Sequence, residues 1–541
     1  MAKYRIVVLD NISSQGLDLL EHAEDIEHEV HTGLADRDLA DVLRQFDGAI
    51  CRSGVKITAD VLTNQRKLKA IVRAGVGTDN IDRAAATRQG VVVMNTPTGN
   101  TLSTAEHAFA LLLALSRNVA PAYQSLCEGK WNRSSYMGVQ LADKTLGIVG
   151  LGRIGREVAK RALAFEMRVI GQDPYFANDQ MTRLGIEPAD TVAEMIPRVD
   201  YLTVHTPLTP ETEGLFGFDE IETCKPGLRL INCARGGIYD EQALAEGLKR
   251  GKLGGVALDV FESEPCTDSP LFGLPGVVCT PHLGASTEEA QTKVALEAVQ
   301  LLTNFLTTGE IRHAVNMATI DPQALAAISG YMDVAYRLGL LLSQFQTGID
   351  GCELTYRGEV SEKDTRLLTA SFCAGLLERA LDEEINIVNS EVLVKDRGIQ
   401  LAEKSVREMG AFSSSITASV TSGDQVTTVA GTLFGNNMPR LVRFGGYRLE
   451  AYLDGNMLIF SHEDVPGIIG SVGTIFGNHN INIAQMAVGR EGEQRGGSAV
   501  GVLNLDEPAP TAAIDDVMKL AGIQTAKSIQ LPPAGDLPPW M

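Results

Sequence analysis

Three polar side chains that can do acid–base and anion chemistry follow three successive predicted strands in the middle of the chain. Arg235 lies in INCARGG, Glu264 in LDVFESEP and His282 in CTPHLGAST. A histidine titrates near neutrality and can take the proton of a hydroxyl group. A carboxylate can hold the imidazole and stabilise its protonated form, and a planar guanidinium can bind a carboxylate. Each residue type alone is more often structural, but together they suit the oxidation of a hydroxy acid.

A glycine-rich turn that precedes these residues fits a dinucleotide. Gly150-Leu-Gly152-Arg-Ile-Gly155 lies between the strand pattern TLGIVG and the helix pattern RIGREVAKRALAF. Glycines at this spacing permit a tight turn and let a pyrophosphate approach the positive end of the helix. Asp173 ends the next predicted strand, 21 residues after Gly152, where a carboxylate binds an adenine ribose and repels a 2′-phosphate. The pattern predicts NAD in preference to NADP. The alternative role for Asp173 is that of a turn residue before Pro174.

The elements that must position these groups alternate between strands and helices, which predicts a mostly parallel, doubly wound α/β sheet. A first series of strands is expected at Tyr4–Leu9, Gly48–Arg52, Lys69–Arg73 and Val91–Asn95. A second series is expected at Thr145–Gly150, Arg168–Asp173, Tyr201–His205, Leu228–Cys233, Gly255–Val260 and Val277–Pro281. Between them, Ser103-x-x-Glu106 has the form of a capping box that would start a helix at Thr104. The polar groups that follow the strands are expected to share the carboxyl edge of the sheet.

The last third of the chain changes character. Residues from about 316 to 450 have weak motifs and several turns rich in Gly, Ser and Thr. From Met457 onward the pattern predicts the order strand, helix, strand, strand, helix, strand. This βαββαβ order is the ferredoxin-like arrangement, so a small α+β domain is expected at the C-terminal end.

Composition excludes several classes of protein. A chain of 541 residues, 44% hydrophobic and 21% charged, is long enough for about three to four globular domains. Its formal charge of −21 argues against nonspecific nucleic-acid binding. The start, MAKYRIVVLD, has no signal-type segment, and the longest apolar runs fall short of the ~20 residues that span a membrane. The 8 cysteines form no CxxC pair, which favours a cytoplasmic protein with reduced thiols. His22, His28 and His31 lack acidic or cysteine partners, so a surface strand is expected there and no metal site.

Five motifs, RAGVGTDNID, GLGRIG, INCARGG, LDVFESEP and TPHLGAST, resemble those of the D-isomer-specific 2-hydroxyacid dehydrogenases. From residue 1 to about 530 the chain is similar to long-form members that end in an ACT domain. The resemblance implies NAD-dependent oxidation of 3-phospho-D-glycerate to 3-phosphohydroxypyruvate, the first step of L-serine biosynthesis. One alternative is a dehydrogenase for another D-2-hydroxy acid, such as 2-hydroxyglutarate. Another is a non-catalytic NAD-sensing scaffold, against which the complete catalytic set argues.

The resemblance also implies four domains. A flavodoxin-like substrate-binding domain would comprise residues 1–98 and 286–315, and a Rossmann-type NAD-binding domain residues 99–285. An α+β intervening domain would follow at 316–450 and a ferredoxin-like ACT domain at 455–530. The hinges would lie at Pro97–Ser103 and Ala285–Thr287. A homo-oligomer is implied, with a tetramer that uses ACT–ACT contacts as the expected form.

The family's site residues map onto this chain without a departure in the catalytic set Arg235, Glu264 and His282. Cofactor contacts are implied for Gly150, Gly152, Arg153, Ile154, Gly155, Asp173, Thr206, Cys233, Ala234, Arg235, Asp259, His282, Leu283, Gly284 and Ala285. Substrate contacts are implied for Arg52, Ser53, Gly75, Val76, Gly77 and Arg133. Arg133, in GKWNRSS, would reach a substrate phosphate across a dimer interface, or it is a solvated loop cation. His107, inside the long apolar helix, is expected to be a packed or interface histidine and not a second base.

The C-terminal motif HEDVPGIIG and the later NIN resemble the amino-acid-binding site of ACT domains. The resemblance implies that Gly467 and Gly470 let a helix N-terminus approach a ligand carboxylate. His462, Asp464 and Asn482 would bind the remaining polar groups of the effector. The implied effector is L-serine, bound between two ACT domains, and the alternative is a module that only dimerises.

Overall fold

The computed structural model describes residues 3–317, 322–380, 385–435, 437–490, 496–536 and 538. These residues form two compact units, and each unit is made of segments that are distant in sequence. One unit contains Met1–Asn11, Leu17–Asn95 and Ala298–Met541. The other contains Ile12–Gly16 and Thr96–Glu297. The first of these units therefore contains both the N-terminal lobe and the C-terminal part of the chain.

The N-terminal lobe is a five-stranded parallel sheet in the order β2-β1-β3-β4-β5. Its strands are β1 (Tyr4–Val8), β2 (Ile26–Val30), β3 (Gly48–Cys51), β4 (Ala70–Arg73) and β5 (Val92–Asn95). The connecting helices are α1 (Ser14–Glu21), α2 (Asp36–Leu43), α3 (Ala59–Leu62) and α4 (Arg83–Arg88). β3 and β5 are buried along their whole length, because parallel strands are covered on both faces. The four strands that the sequence predicts here are confirmed.

The second unit is built on a seven-stranded parallel sheet in the order β12-β11-β10-β9-β6-β7-β8. Its strands are β6 (Thr145–Val149), β7 (Arg168–Gln172), β8 (Glu187–Pro188), β9 (Tyr201–Val204), β10 (Leu228–Asn232), β11 (Leu253–Leu258) and β12 (Val277–Cys279). Its helices are α5 (Thr101–Ser116), α6 (Val119–Cys127), α7 (Arg153–Ala164), α8 (Asn178–Arg183), α9 (Val192–Met195), α10 (Phe218–Thr223) and α11 (Glu241–Lys249), and α12 (Glu288–Thr308) follows. β7 lies on one side of β6, and β9, which comes later in the chain, lies on the other side. This reversal of strand order creates the crevice in which doubly wound sheets bind ligands.

The predicted capping box at the start of the long helix is wrong. α5 begins at Thr101, after an Asn100 whose side chain makes no capping hydrogen bond. Ser103 therefore lies inside the first turn, and its hydroxyl is 2.8 Å from the Thr287 hydroxyl. Glu106 instead pairs with Arg161 of α7 at 2.9 Å. A local sequence pattern cannot show where the preceding chain enters a helix, and here the helix starts three residues earlier than predicted.

The C-terminal half begins with a six-stranded sheet in the order β14-β13-β15-β16-β17-β18, parallel only between β13 and β14. Its strands are β13 (Gly351–Gly358), β14 (Gln400–Val406), β15 (Ser414–Ser422), β16 (Gln425–Phe434), β17 (Met438–Phe444) and β18 (Tyr447–Tyr452). The helices are α13 (Pro322–Phe345), α14 (Arg366–Leu377) and α15 (Ser390–Asp396). Strands with alternating burial, such as β13, pack one face against α13 and α14. An α+β fold is therefore confirmed where the motifs were weak.

One described helix has the length and hydropathy of a membrane span. The stretch is Ala324–Phe345 in α13, with a mean hydropathy of 1.3, and 67% of it is buried inside the protein. It carries Asp333 and Arg337, which form an ion pair within the helix. Arg337 is fully buried and also donates to the carbonyl oxygens of Leu453, Pro532 and Pro533. The apolar character of α13 is explained by its place in the domain core.

The chain ends in the predicted βαββαβ unit. Its elements are β19 (Asn456–Glu463), α16 (Ile468–Asn478), β20 (Ile483–Arg490), β21 (Ser498–Leu505), α17 (Thr511–Met518) and β22 (Ile523–Gln530). The antiparallel sheet has the order β20-β21-β19-β22. One face packs under α16 and α17, whereas Met457, Val502 and Ile529 belong to the same hydrophobic core as α13 and α14. The ferredoxin-like unit therefore shares a core with the domain before it.

Candidate active site and nucleotide site

The glycine fingerprint adopts the geometry that a dinucleotide needs. Gly150 follows β6 with φ +88°, and a Cβ there would lie 2.7 Å from the His205 carbonyl oxygen. A Cβ on Gly155 would lie 2.0 Å from the Gly150 carbonyl oxygen. Gly152 precedes α7, and a Cβ there would meet no atom within 4 Å. The outer two glycines are thus required by packing, and the middle one leaves the helix N-terminus open to a phosphate.

Asp173 follows β7 and is tied to the fingerprint. Its Oδ2 accepts the N–H of Leu151 at 2.7 Å, and its Oδ1 accepts the N–H of Tyr175 at 2.8 Å. A cavity of about 470 Å³ opens beside it, lined by residues 172–178 with Ala189 and Asp190. Tyr175 is 96% exposed at this cavity. Tyr175, two positions after Asp173, was not among the predicted site residues.

The remaining predicted cofactor residues line the same carboxyl edge. Arg153 begins α7 and donates to the Pro97 carbonyl oxygen at 3.2 Å. Ile154 packs against the core beneath the sheet. Thr206 follows β9, and its hydroxyl is buried with no hydrogen-bond partner among the residues described. Cys233 is buried, and burial raises the pKa of its thiol well above the usual value, so it is an apolar wall and not a nucleophile. The residues present therefore fit NAD.

His282 and Glu264 form a hydrogen-bonded pair. The His282 Nδ1 atom lies 2.7 Å from the Glu264 Oε2 atom. The other carboxylate oxygen accepts the N–H of Phe261 at 3.1 Å. Burial raises the pKa of Glu264, but the hydrogen bond and charge of His282 outweigh it, so the net pKa is lowered. Glu264 is therefore ionised at neutral pH, and Nε2 of His282 is the nitrogen that can take a substrate proton.

The backbone around His282 is unusual and is held by one buried carboxylate. His282 has φ 54°, in the left-handed region that non-glycine residues seldom adopt. Asp259, 1% exposed, accepts the N–H groups of Leu283 and Gly284 at 2.7 and 2.8 Å and the hydroxyl of Thr280 at 2.6 Å. Burial raises the pKa of Asp259, and the hydrogen bonds from His107 and Thr280 lower it further than burial raises it. Asp259 thus fixes the loop that carries the His282 imidazole.

His107 belongs to this network. Its Nε2 atom lies 3.1 Å from Asp259 Oδ1 and 3.0 Å from the Thr280 hydroxyl. This position agrees with the prediction of a packed histidine. The sequence did not show its polar partners, because α5 and the loop are separated by more than 150 residues.

Arg235 follows β10 on a loop that touches the loop of Glu264. Asn232 shapes the turn, since its side chain accepts the Ala234 N–H and donates to the Arg235 carbonyl oxygen. Nη1 of Arg235 donates to the Ala234 carbonyl oxygen at 2.6 Å. A Cβ on Gly236 would lie 1.8 Å from the Phe261 carbonyl oxygen, so only glycine permits this approach. The second unit thus gathers Arg235, Glu264 and His282 from adjacent strand ends.

The predicted substrate residues of the N-terminal lobe lie on two neighbouring loops. Arg52 and Ser53 follow β3, and the other three residues follow β4, namely Gly75, Val76 and Gly77. β3 and β4 are hydrogen-bonded neighbours with Cys51 opposite Arg73. A Cβ on Gly75 would lie 1.7 Å from Arg73 Nη1. Arg73 is a second cation at this edge, two positions before Gly75, and was not among the predicted substrate residues. Arg133 lies in the other unit, exposed, before the 3₁₀ turn Ser134–Tyr136.

Of the predicted effector residues, His462 lies on β19, Asp464 follows that strand, and Asn482 precedes β20. His462 is buried against the Phe460 ring, with Nδ1 2.7 Å from the Glu463 carbonyl oxygen. Its Nε2 atom is buried without a partner in the part of the chain that is described. Asp464 pairs with Arg490 at 3.0 Å, and Asn482 donates to Asp506 at 2.8 Å. Nothing meets a Cβ placed on Gly467 or Gly470, so the N-terminus of α16 is open.

No group of three metal-binding side chains occurs among the described residues. His22 bonds the Asp18 carbonyl oxygen and His31 bonds Glu29. His28 lies on β2, the edge strand of the first sheet. The expected strand is confirmed for His28, whereas His22 follows α1 and His31 follows β2.

Comparison with known proteins matches three parts of the chain to family models. Residues 109–284 match the NAD-binding domain of D-isomer specific 2-hydroxyacid dehydrogenases, residues 327–445 the D-3-phosphoglycerate dehydrogenase intervening domain, and residues 456–522 the ACT domain. Curated D-3-phosphoglycerate dehydrogenases of Archaeoglobus fulgidus and Bacillus subtilis are each 39% identical to the chain. The alignments cover 97% and 98% of this chain and 100% of each relative.

Solved structures resemble the dehydrogenase part of the chain. The TT0316 protein of Thermus thermophilus is 36% identical with a TM-score of 0.53, and covers 57% of this chain and 99% of its own. A glyoxylate reductase of Paecilomyes thermophila is 26% identical with a TM-score of 0.54, and covers 58% of this chain and 99% of its own. Each similarity extends over somewhat more than half of the chain.

The doubly wound sheet, the glycine fingerprint and the Arg–Glu–His set define an NAD-dependent oxidoreductase of the D-isomer specific 2-hydroxyacid dehydrogenase class. The intervening and ACT domains and the full-length match to curated relatives narrow this assignment. The chain belongs to the D-3-phosphoglycerate dehydrogenase family.

Proposed function

We propose that this enzyme oxidises 3-phospho-D-glycerate to 3-phosphohydroxypyruvate with NAD, as the first step of L-serine biosynthesis. The observation that carries the proposal is the His282–Glu264 pair, 2.7 Å apart, beside a dinucleotide fingerprint on one sheet edge. This edge lies in a chain whose full length matches curated phosphoglycerate dehydrogenases.

The chain's own residues supply the proton chemistry. NAD, when bound, accepts the hydride that leaves C2 of the substrate. His282 Nε2 takes the proton of the C2 hydroxyl as the C–H bond breaks, and the resulting imidazolium is stabilised by the ionised Glu264. In the reverse direction the imidazolium returns the proton to the carbonyl oxygen. Arg235 binds the substrate carboxylate through its planar guanidinium and polarises the C2 oxygen.

Cofactor choice follows from Asp173. A carboxylate at the end of the second strand accepts the ribose hydroxyls of NAD and repels the 2′-phosphate of NADP. Its present bonds to two backbone N–H groups hold the carboxylate in place. We assign the remaining predicted contacts, from the fingerprint to Ala285, to the same cofactor.

The anionic ends of the substrate are assigned to the N-terminal lobe and to Arg133. Arg52, Ser53 and Gly75 through Gly77 supply a cation and backbone N–H donors. Arg133 follows an exposed apolar surface, formed by Tyr123, Leu126 and Trp131, with Trp131 78% exposed. Exposed apolar surface of this kind marks a protein contact, and a second copy of the chain is the proposed occupant. Arg133 would then bind the substrate phosphate of the neighbouring subunit, within a cytoplasmic homo-oligomer that is proposed to be a tetramer.

A steady-state assay across a panel of hydroxy acids tests the proposed function. We expect 3-phospho-D-glycerate to give the highest kcat/KM, well above those of D-glycerate, D-lactate and D-2-hydroxyglutarate. A higher kcat/KM for D-2-hydroxyglutarate would replace the proposed substrate with that acid. No NAD reduction with any of these acids, in folded protein, would contradict the assignment as a dehydrogenase of this class.

The C-terminal unit is proposed to bind L-serine as a feedback inhibitor. The buried Nε2 of His462 lacks a partner among the described residues, and a ligand hydroxyl would satisfy it. Asp464 and the open N-terminus of α16 suit an ammonium and a carboxylate. A ligand shared between two such domains would favour one arrangement of subunits and thereby bias the catalytic cleft.

Calorimetry with the full-length chain is the direct test, because the ferredoxin-like sheet shares a core with the preceding domain and an isolated fragment would expose it. We expect serine binding that Asn482→Ala weakens at least tenfold and that the exposed control Asn478→Ala retains. Asn482→Ala should keep catalytic activity without serine. Absence of binding heat at millimolar serine would leave this unit as an assembly module or as a sensor of another amino acid.

A further inference from the structure

Two asparagines of the N-terminal lobe hold the carbonyl groups of the loops assigned to the substrate. The Asn80 side-chain amide donates to the carbonyl oxygens of Arg52 and Val55, both at 2.7 Å. The Asn95 side-chain amide donates to the carbonyl oxygen of Val76 at 2.5 Å. The first loop follows β3, and the second follows β4. The side-chain amide of each asparagine therefore bonds to backbone carbonyl groups of one loop.

These hydrogen bonds determine which way the adjacent N–H groups face. A trans peptide carries its C=O and N–H on opposite sides. When the Arg52 carbonyl is turned back onto Asn80, the N–H of Ser53 must face away from it. The same reasoning turns the N–H of Gly77 away from Asn95. In the described parts of the chain, neither of these two N–H groups donates to a protein acceptor, so both are available to a ligand.

Asp10 completes the restraint on the first loop. Its Oδ2 atom accepts the N–H of Arg52 at 2.6 Å. A Cβ on Gly54 would lie 2.4 Å from its Oδ1 atom, so the loop lies directly against this carboxylate. The N–H of Arg52 is therefore occupied, and the next donor, at Ser53, is the one that remains.

An anionic substrate requires this arrangement. A carboxylate or phosphate is attracted by N–H groups and repelled by carbonyl oxygens, and hydrogen bonds to a charged group are stronger than those between neutral groups. A loop whose carbonyl groups are free can rotate its peptides and present oxygen to the anion. The two asparagines prevent this rotation, while neither side chain needs to touch the substrate.

We propose that Asn80 and Asn95 are positioning residues for substrate recognition. Each holds a loop carbonyl back and so turns the following N–H group, of Ser53 or of Gly77, toward an anionic group of the hydroxy acid. The inference rests on the proposed function of these loops. It assigns a role in anion specificity to Asn80 and Asn95, which are not among the proposed substrate contacts.

The experiment compares Asn80→Ala and Asn95→Ala with a matched control. Asn316 lies in the same lobe and makes three hydrogen bonds, to Val91, Val93 and the Thr87 hydroxyl, none of them to the substrate loops. Steady-state kinetics with 3-phospho-D-glycerate and thermal unfolding are measured for each variant. We expect KM for the hydroxy acid to rise about tenfold in both loop variants, the factor that corresponds to ~1.4 kcal/mol. The kcat value and KM for NAD should stay within about threefold of wild type.

The control separates positioning from stability. Asn316→Ala should lower Tm and leave KM unchanged, since a purely structural loss reduces the amount of folded enzyme and not its affinity. If Asn80→Ala does not fold, Asn80→Ser, which keeps one shorter donor, should give an intermediate rise in KM. An unchanged KM in folded Asn80 and Asn95 variants, or an equal rise in Asn316→Ala, overturns the inference.

Arg52→Ala distinguishes this inference from the function on which it rests. A large rise in KM for Arg52→Ala with unchanged KM in the asparagine variants refutes only the positioning role. An unchanged KM in Arg52→Ala refutes the assignment of this lobe to the substrate anion, whatever the asparagine variants show.

Discussion

Replacement of Glu264 tests how much its negative charge lowers the activation free energy when His282 takes the substrate proton. In the transition state His282 becomes positively charged, and the Glu264 carboxylate lies 2.7 Å from its Nδ1 atom. Charge centres ~4 Å apart interact by ~4 kcal/mol at an effective dielectric constant of ~20 and by ~1 kcal/mol in water. The two side chains are 45% and 35% exposed, so water screens them strongly. We therefore expect a contribution of ~1–2 kcal/mol, which predicts that kcat falls about 5- to 30-fold in Glu264→Ala.

Glu264→Gln should be slower than Glu264→Ala. The carboxylate oxygen that accepts the Phe261 N–H would be replaced by the amide oxygen, and this places the amide NH₂ opposite the His282 Nδ1 atom. Nδ1 must then accept a hydrogen bond, so the neutral ring carries its proton on Nε2 and cannot accept the substrate proton. Both variants should also move the acid limb of the kcat/KM profile to lower pH, because the imidazolium loses its stabilising charge.

The assay is NAD reduction from pH 5.5 to 9.5 at substrate concentrations from below KM to saturation, which gives both kcat and kcat/KM. Asp268→Asn is the control because this acid is exposed on the same loop. Circular dichroism establishes that each variant is folded. A fall in kcat of less than twofold in Glu264→Ala would refute the charge argument. A Gln variant faster than the Ala variant would refute the tautomer argument.

Three further predictions concern catalysis, cofactor choice and pH. His282→Ala should lower kcat by roughly 10²–10⁴, the scale of a positioned acid–base group, while fluorescence titration shows unchanged NAD affinity; near-normal turnover would reject it as the base. Asp173→Ala should raise kcat/KM for NADP relative to NAD, since it removes the repulsive carboxylate, and efficient use of NADP by the wild type would contradict this role. Burial lowers the pKa of His205 to about 4, below the usual ~6.5 of an unfolded histidine. Between these values the unfolded chain binds the extra proton, so stability is lost as pH falls from about 6.5 to 4. The free energy of unfolding, measured with denaturant, should therefore differ less between pH 7.5 and pH 4.5 for His205→Asn than for wild type. An equal difference in the two proteins would show that His205 is solvated.

The proposed catalytic set could be recognised in the sequence because its determinants are local. Arg235, Glu264 and His282 each follow a strand, and in a parallel sheet the carboxyl ends of strands share one edge. The fingerprint depends on glycine spacing within six residues, and the ferredoxin-like unit depends on the order of its elements. These features are properties of short segments, so the sequence alone predicts the candidate catalytic residues and the type of cofactor.

Other features depend on contacts between distant residues. Asp259 meets His107 across more than 150 positions, and Asp10 meets Arg52 across 42. The start of α5 at Thr101 depends on how the chain enters the helix, which a local capping pattern does not record.

The sequence by itself determined the class of fold, the cofactor and the candidate catalytic residues, because periodicity, glycine spacing and strand-end positions are properties of short segments. Only the tertiary structure decided which polar side chains hold those residues in place. Hydrogen bonds such as those of Asn80 and Asp259 form between loops that folding brings together, and their partners have no fixed spacing along the chain.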